Sequence, residues 1–82
     1  MSEPNGGVRT MLEQVVRSLV DQPAEVSVEQ IDGEEIVFEL TVAESDMGKV
    51  IGRQGRVARA LRALVSATGV RANKRHALEI LE

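Results

Sequence analysis

The sequence predicts an α+β domain whose elements run α-β-β-α-α-β, and three observations carry that prediction. Apolar residues recur at three- and four-residue spacing from Val8 to Val20. They alternate on either side of Asp32-Gly33. Two further helical patterns are then separated by a break bracketed by Gly52 and Gly55. A chain of 82 residues has material for one core, because so short a chain buries only roughly 60% of its unfolded surface.

The first helix is predicted from about Gly7 to Val20, with Val8, Met11, Leu12, Val15, Val16, Leu19 and Val20 on one stripe. Residues 1–6 read as a loose N-terminus and 7–82 as the domain. Asp21-Gln22-Pro23 ends the helix, since Pro23 restricts its neighbour and has no N–H to donate. Strands follow on both sides of Asp32-Gly33, the second placing Ile36, Phe38, Leu40 and Val42 on one face and Glu35, Glu39 and Thr41 on the other. Asp-Gly suits a two-residue primed turn with positive φ, so a tight hairpin with one wet face is expected. Glu44-Ser45-Asp46 offers a cap and negative charge at the start of a short helix carrying Met47, Val50 and Ile51. A longer helix begins near Gly55, with Val57, Ala58, Leu61, Leu64 and Val65 inward and Arg56, Arg59 and Arg62 on another face. Gly69 is the expected stop, 71–75 a basic connector, and His76 to Leu81 a last strand with Leu78 and Ile80 inward.

Composition narrows the classes of function. The absence of cysteine removes disulfides, thiolate nucleophiles and cysteine-based zinc sites together. The N-terminus shows neither the basic nor the apolar region of a secretory leader, and no 18-residue apolar run is present, so cytoplasmic residence away from membranes is expected. The net charge of −3 hides a segregation: residues 1–46 hold 11 acidic and 2 basic side chains, whereas 47–78 hold 8 basic and none acidic. An acid-free block on an acidic chain implies a positive face, hence a local anion site; a merely solvated helix surface is the plainer reading.

Gly52-Arg53-Gln54-Gly55 lies inside that block. Two glycines at this spacing allow a sharp turn between helices and bring main-chain N–H groups close to a ligand, while Arg53 adds a forked cation. Lys49, Arg56 and Arg59 stand within about a turn and extend the track. Val50 and Ile51 are either the apolar wall of a groove or plain core. The pattern matches neither the phosphate loop G-x-x-x-x-G-K-S/T nor the dinucleotide fingerprint G-x-G-x-x-G.

With helices on both sides, Val50-Ile51-Gly52-Arg53-Gln54-Gly55 resembles the G-x-x-G motif of the KH domain, and the element order resembles the type II KH form. The resemblance runs from about Val8 to Glu82 and is nearest to the small bacterial single-KH proteins, the KhpA type. These share a Met-Gly-Lys-Val-Ile-Gly stretch, a Gln-Gly-Arg continuation and a Lys-Arg pair before the last strand. It implies a three-stranded mixed sheet with helices on one face, and a clamp in which Gly52, Arg53, Gln54 and Gly55 hold the sugar-phosphate backbone of about four nucleotides of single-stranded RNA. It further implies a homodimer, or a heterodimer with a larger KH protein. Ala58 departs from the wider KH pattern, where a large aliphatic residue is common, and Val57 takes over that contact. His76 stands where an apolar strand residue is expected.

Catalysis finds little support: one histidine, no cysteine, and Ser45, Ser66 and Thr68 without an evident partner. Glu44 with Asp46 is better explained by helix-start acids than by a metal pair. No catalytic residue, metal, cofactor or small-molecule substrate is therefore expected. A single Phe and neither Tyr nor Trp speak against the RRM and OB modules, which stack bases on exposed rings, and suggest modest affinity for a single domain; low sequence selectivity is expected. The alternative is a dimerising protein-interaction adaptor whose RNA contact is secondary.

Overall fold

In the computed structural model, which describes residues 4–82, the elements follow the predicted order: α1 (Pro4–Arg17), β1 (Ser27–Ile31), β2 (Glu35–Thr41), α2 (Met47–Ile51), α3 (Arg56–Ala72) and β3 (Arg75–Ile80). The sheet is mixed, in the order β1-β2-β3, with β1 antiparallel and β3 parallel to the central β2. Alternation places Val28, Ile36, Phe38, Leu40, Leu78 and Ile80 on the buried face, where Leu12 and Val16 of α1, Val50 of α2, and Ala58, Leu61 and Val65 of α3 close the core. Ser27, Glu29, Glu35, Thr41, Arg75 and Glu79 point to solvent, so the helices cover one face only, as the wet strand positions predicted.

The boundaries differ from expectation for local reasons. Helix α1 starts at Pro4 rather than about Gly7, with proline at the first position, where its missing N–H is not needed; the expectation for residues 1–3 lies outside the described residues. The helix stops at Arg17 rather than Val20. The Ser18 amide is shared between Gln14 O and Val15 O at 3.2 Å each, its hydroxyl donates to Val15 O at 2.6 Å, and the Leu19 amide reaches Val16 O at 2.9 Å, tightening the last turn. The hairpin is not the predicted two-residue primed turn. Residues 32–34 connect the strands, none has positive φ, and Gln30 Nε2 donates to Asp32 Oδ1 at 2.8 Å instead.

Gly69 does not end α3. The helix continues to Ala72 and closes on Asn73, whose left-handed φ of 57° lets the Asn73 amide reach Val70 O at 3.1 Å and the Lys74 amide reach Gly69 O at 2.9 Å. The basic connector therefore shrinks to Asn73-Lys74, with Arg71 on α3 and Arg75 on β3. Leu64, predicted inward, is 40% exposed, because the buried stripe runs through Ala58, Leu61, Val65 and Gly69.

His76 proves to be a strand residue of the core. Its ring meets Phe38 edge-on at 5.4 Å between centroids, and Nδ1 lies 3.0 Å from Thr68 Oγ1. Because the Thr68 hydroxyl spends its proton on Val65 O at 2.6 Å, it accepts from His76 Nδ1–H, while Nε2 is buried with no hydrogen-bond partner among the described residues.

Candidate nucleic-acid interface

The Gly52–Gly55 loop joins α2 to α3 in a conformation that few residue types can adopt. Gly52 sits at φ 77°, ψ 170°, Gln54 at φ 57° and Gly55 at φ 74°. At Gly52 the glycine is required twice, by that backbone region and by space: a Cβ there would lie 2.4 Å from Val57 Cγ2. Two arginines of α3 hold the strained Gln54: Arg59 Nη1 donates to its carbonyl oxygen at 2.9 Å and Arg56 Nη2 to its Oε1 at 3.4 Å. The Gly52 amide is used on Gly48 O at 2.8 Å, the Gly55 amide on Gly52 O at 3.0 Å and the Arg56 amide on Arg53 O, so these amides close the turn and those of Arg53 and Gln54 are left out of it.

Of the residues singled out by sequence, Arg53, Gln54, Arg56 and Arg59 are exposed and gather around the loop, with Gly52 and Gly55 half-buried beneath them. Among the described residues no carboxylate pairs with any of these arginines, which leaves their charge open to an external anion. Val50 is wholly buried, so of its two readings the structure gives core; Ile51, half-buried, alone offers apolar surface beside the loop. Lys49 turns elsewhere, with Nζ at 3.1 Å from Asp21 Oδ2 and 3.5 Å from Asp46 Oδ1.

Asp46 is the residue whose role sequence reasoning missed. It precedes α2 yet makes no side-chain cap there; its carboxylate, 1% exposed, turns back to accept the Asp21 amide on Oδ1 at 3.1 Å and the Gln22 amide on Oδ2 at 3.0 Å. Hydrogen bonding from the Asp21 amide, reinforced by Gln22 and Lys49 and opposed by burial, holds this carboxyl below the ordinary value of 3.8. A group whose native pKa is depressed contributes stability above its unfolded value and loses it as pH falls through the native one. Acid unfolding followed by circular dichroism is therefore expected to lose an Asp46 contribution below about pH 4, and Asp46→Asn is expected to flatten that limb. A variant with an unchanged acid limb would contradict the assignment. The only sequence signal for this contact is the Asp21-Gln22 pair before Pro23, which exposes amides after α1 but does not name their acceptor.

A depression of about 900 Å³, lined by Ser66, Gly69, Lys74 and His76 among others, lies along the C-terminal half of α3, away from the loop. Among the described residues there is no group of three or more metal-ligating side chains, and no helix is long and apolar enough to cross a membrane.

A three-stranded mixed sheet in α-β-β-α-α-β order, with a Gly-x-x-Gly turn between its second and third helices, defines a KH domain of type II. The chain belongs to the KhpA/KhpB KH-domain family, whose model matches residues 9–80. It is 49% identical to RNA-binding protein KhpA of Clostridium acetobutylicum over 75 residues, 90% of this chain and 100% of that one. It is 48% identical to RNA-binding protein KhpA of Borreliella burgdorferi, covering 88% of this chain and 89% of the relative. For RNA-binding protein KhpA of Aquifex aeolicus the identity is 46%, over 92% and 96%. These relatives are RNA-binding proteins, and the family is not one of enzymes.

Proposed function

We propose that this chain is a non-catalytic RNA-binding protein of the cytoplasm that grips single-stranded RNA by its sugar-phosphate backbone through Gly52–Gly55. One observation carries the reading: a turn with three positive-φ residues presents Arg53 and Gln54 beside Arg56 and Arg59, with no carboxylate among the described residues paired with these arginines. Such a surface suits an anion with repeated charges, and Ile51 beside it suits the edge of an unpaired base. Selectivity is low on this reading because the clamp holds the sugar-phosphate backbone, which every sequence shares, and Phe38, in the core, adds no base contact.

Titration of a fluorescent eight-nucleotide oligo-U against rising salt tests this. Three to four phosphate contacts predict that log K falls with log[salt] at a slope of about −2 to −3, and an RNA duplex should compete poorly. A flat salt response, or equal competition by duplex, would overturn it.

A second reading has its own observation: α3 exposes Leu64 (40%) and Val70 (78%) away from the core. Exposed apolar side chains of this size support self-association or pairing with a larger KH protein, an adaptor role compatible with RNA binding.

A further inference from the structure

We infer that Asp46 and Lys49 are positioning residues for the Gly52–Gly55 loop, Lys49 serving RNA from within the protein rather than by touching phosphate; this rests on the RNA-binding reading above. Helix α2 has only five residues, too few to hold a direction alone, and the loop follows it directly. Its direction is set by what fastens it. Val50 anchors one side in the core; the other fastening is the Asp46 carboxylate, whose two oxygens take the Asp21 and Gln22 amides across 24–25 residues of chain. Lys49, three residues on, bridges the Asp46 and Asp21 carboxylates, and Gln22 Nε2 adds a bond to Ser45 Oγ at 2.9 Å. The connector so gripped leads through Pro23 and a single tight turn, residues 23–25, into β1, so the start of α2 is referenced to the sheet.

Charge separates Lys49 from the arginines. One lysine with two carboxylates leaves the trio at net −1, which repels a phosphate, and the Lys49 ammonium is held charged first by its bond to Asp21 and then by the field of both acids. Among the described residues Arg53, Arg56 and Arg59 have no such partners, so the phosphate track begins at Arg53.

The test compares Lys49→Ala, Lys49→Arg and Asp46→Asn with Arg53→Ala as the contact control. Oligo-U affinity is measured from low to high salt at a temperature where circular dichroism shows each variant folded, and backbone hydrogen exchange is measured on the RNA-free proteins. Lys49→Ala and Asp46→Asn are expected to weaken binding roughly three- to tenfold at every salt concentration, with the wild-type slope kept. Exchange should quicken at residues 52–55 while β2 and β3 stay as in wild type, and Lys49→Arg should restore both. Arg53→Ala should instead lower the slope by about 0.7, the signature of one lost phosphate contact on a single strand. The inference is overturned if Lys49→Ala lowers the slope as Arg53→Ala does, or if it binds with wild-type affinity. Should Asp46→Asn fail to fold, Lys49→Ala, changed at a half-exposed side chain, decides alone. If the wild-type protein binds no RNA, the RNA reading falls, and loop exchange still decides the positioning: unchanged exchange at 52–55 overturns it.

Discussion

Gly52→Ala is expected to destabilise the domain by about 2–6 kcal/mol and to weaken RNA binding with it. Two costs add: a non-glycine residue at φ 77°, ψ 170° is worth about 1–3 kcal/mol of backbone strain, and a new methyl 2.4 Å from Val57 Cγ2 and 2.9 Å from the Val57 amide nitrogen forces α3 away from α2, about 1–3 kcal/mol more. Gly48→Ala is the matched control. Nothing lies within 4 Å of its added Cβ, and a helical glycine replaced by alanine gains up to about 1 kcal/mol. Urea unfolding separates the two: a lowered midpoint for Gly52→Ala beside an equal or raised one for Gly48→Ala is the expected pair. A wild-type midpoint for Gly52→Ala would mean that the loop does not have this backbone.

Gly69→Ala should cost nearly as much, although alanine is the better helix former. Its Cβ would stand 2.6 Å from Lys74 O and 2.8 Å from the His76 amide nitrogen, both backbone atoms of the segment returning to β3. Neither can swing aside as a side-chain tip would, so β3 must slide off α3. A net loss of about 2–3 kcal/mol corresponds to a melting temperature lowered by roughly 10 °C or more in a domain of this size. The Phe38–His76 edge contact should loosen too, which would appear as altered histidine ring shifts in NMR spectra. A melting temperature within a degree or two of wild type would contradict this packing.

Both glycines stand out in the sequence, but their meanings separate only in three dimensions. Gly52 and Gly55 are legible as turn glycines because helical patterns flank them. Gly69 reads as a helix stop by the same logic, and that is where local inference fails: its function is close approach to β3, a tertiary demand with no local trace, while Asn73 performs the stop. Hydrophobic period located every helix and strand, since Phe38, Leu61 and Val65 must be inward for a chain this short to have a core. It could not phase α3 finely enough to exclude Leu64, nor reveal that Lys49 answers to Asp21, 28 positions away. The exposed half of the candidate site, Arg53, Gln54, Arg56 and Arg59, was readable because an anion site needs unopposed cations near glycine. Its support was not: the bracing of the Gln54 carbonyl by Arg59 and the Asp46 fastening depend on contacts that spacing does not encode.

The most direct test of the central claim is the oligo-U affinity of the double variant Arg53→Asp, Gln54→Asp. Aspartate tolerates the left-handed backbone at position 54 and both side chains are exposed, so the fold should survive. Two carboxylates would then face the phosphates where a guanidinium and an amide stood. The expected result is a native circular dichroism spectrum with affinity reduced at least roughly thirtyfold at moderate salt. Wild-type affinity in a natively folded double variant would contradict the clamp.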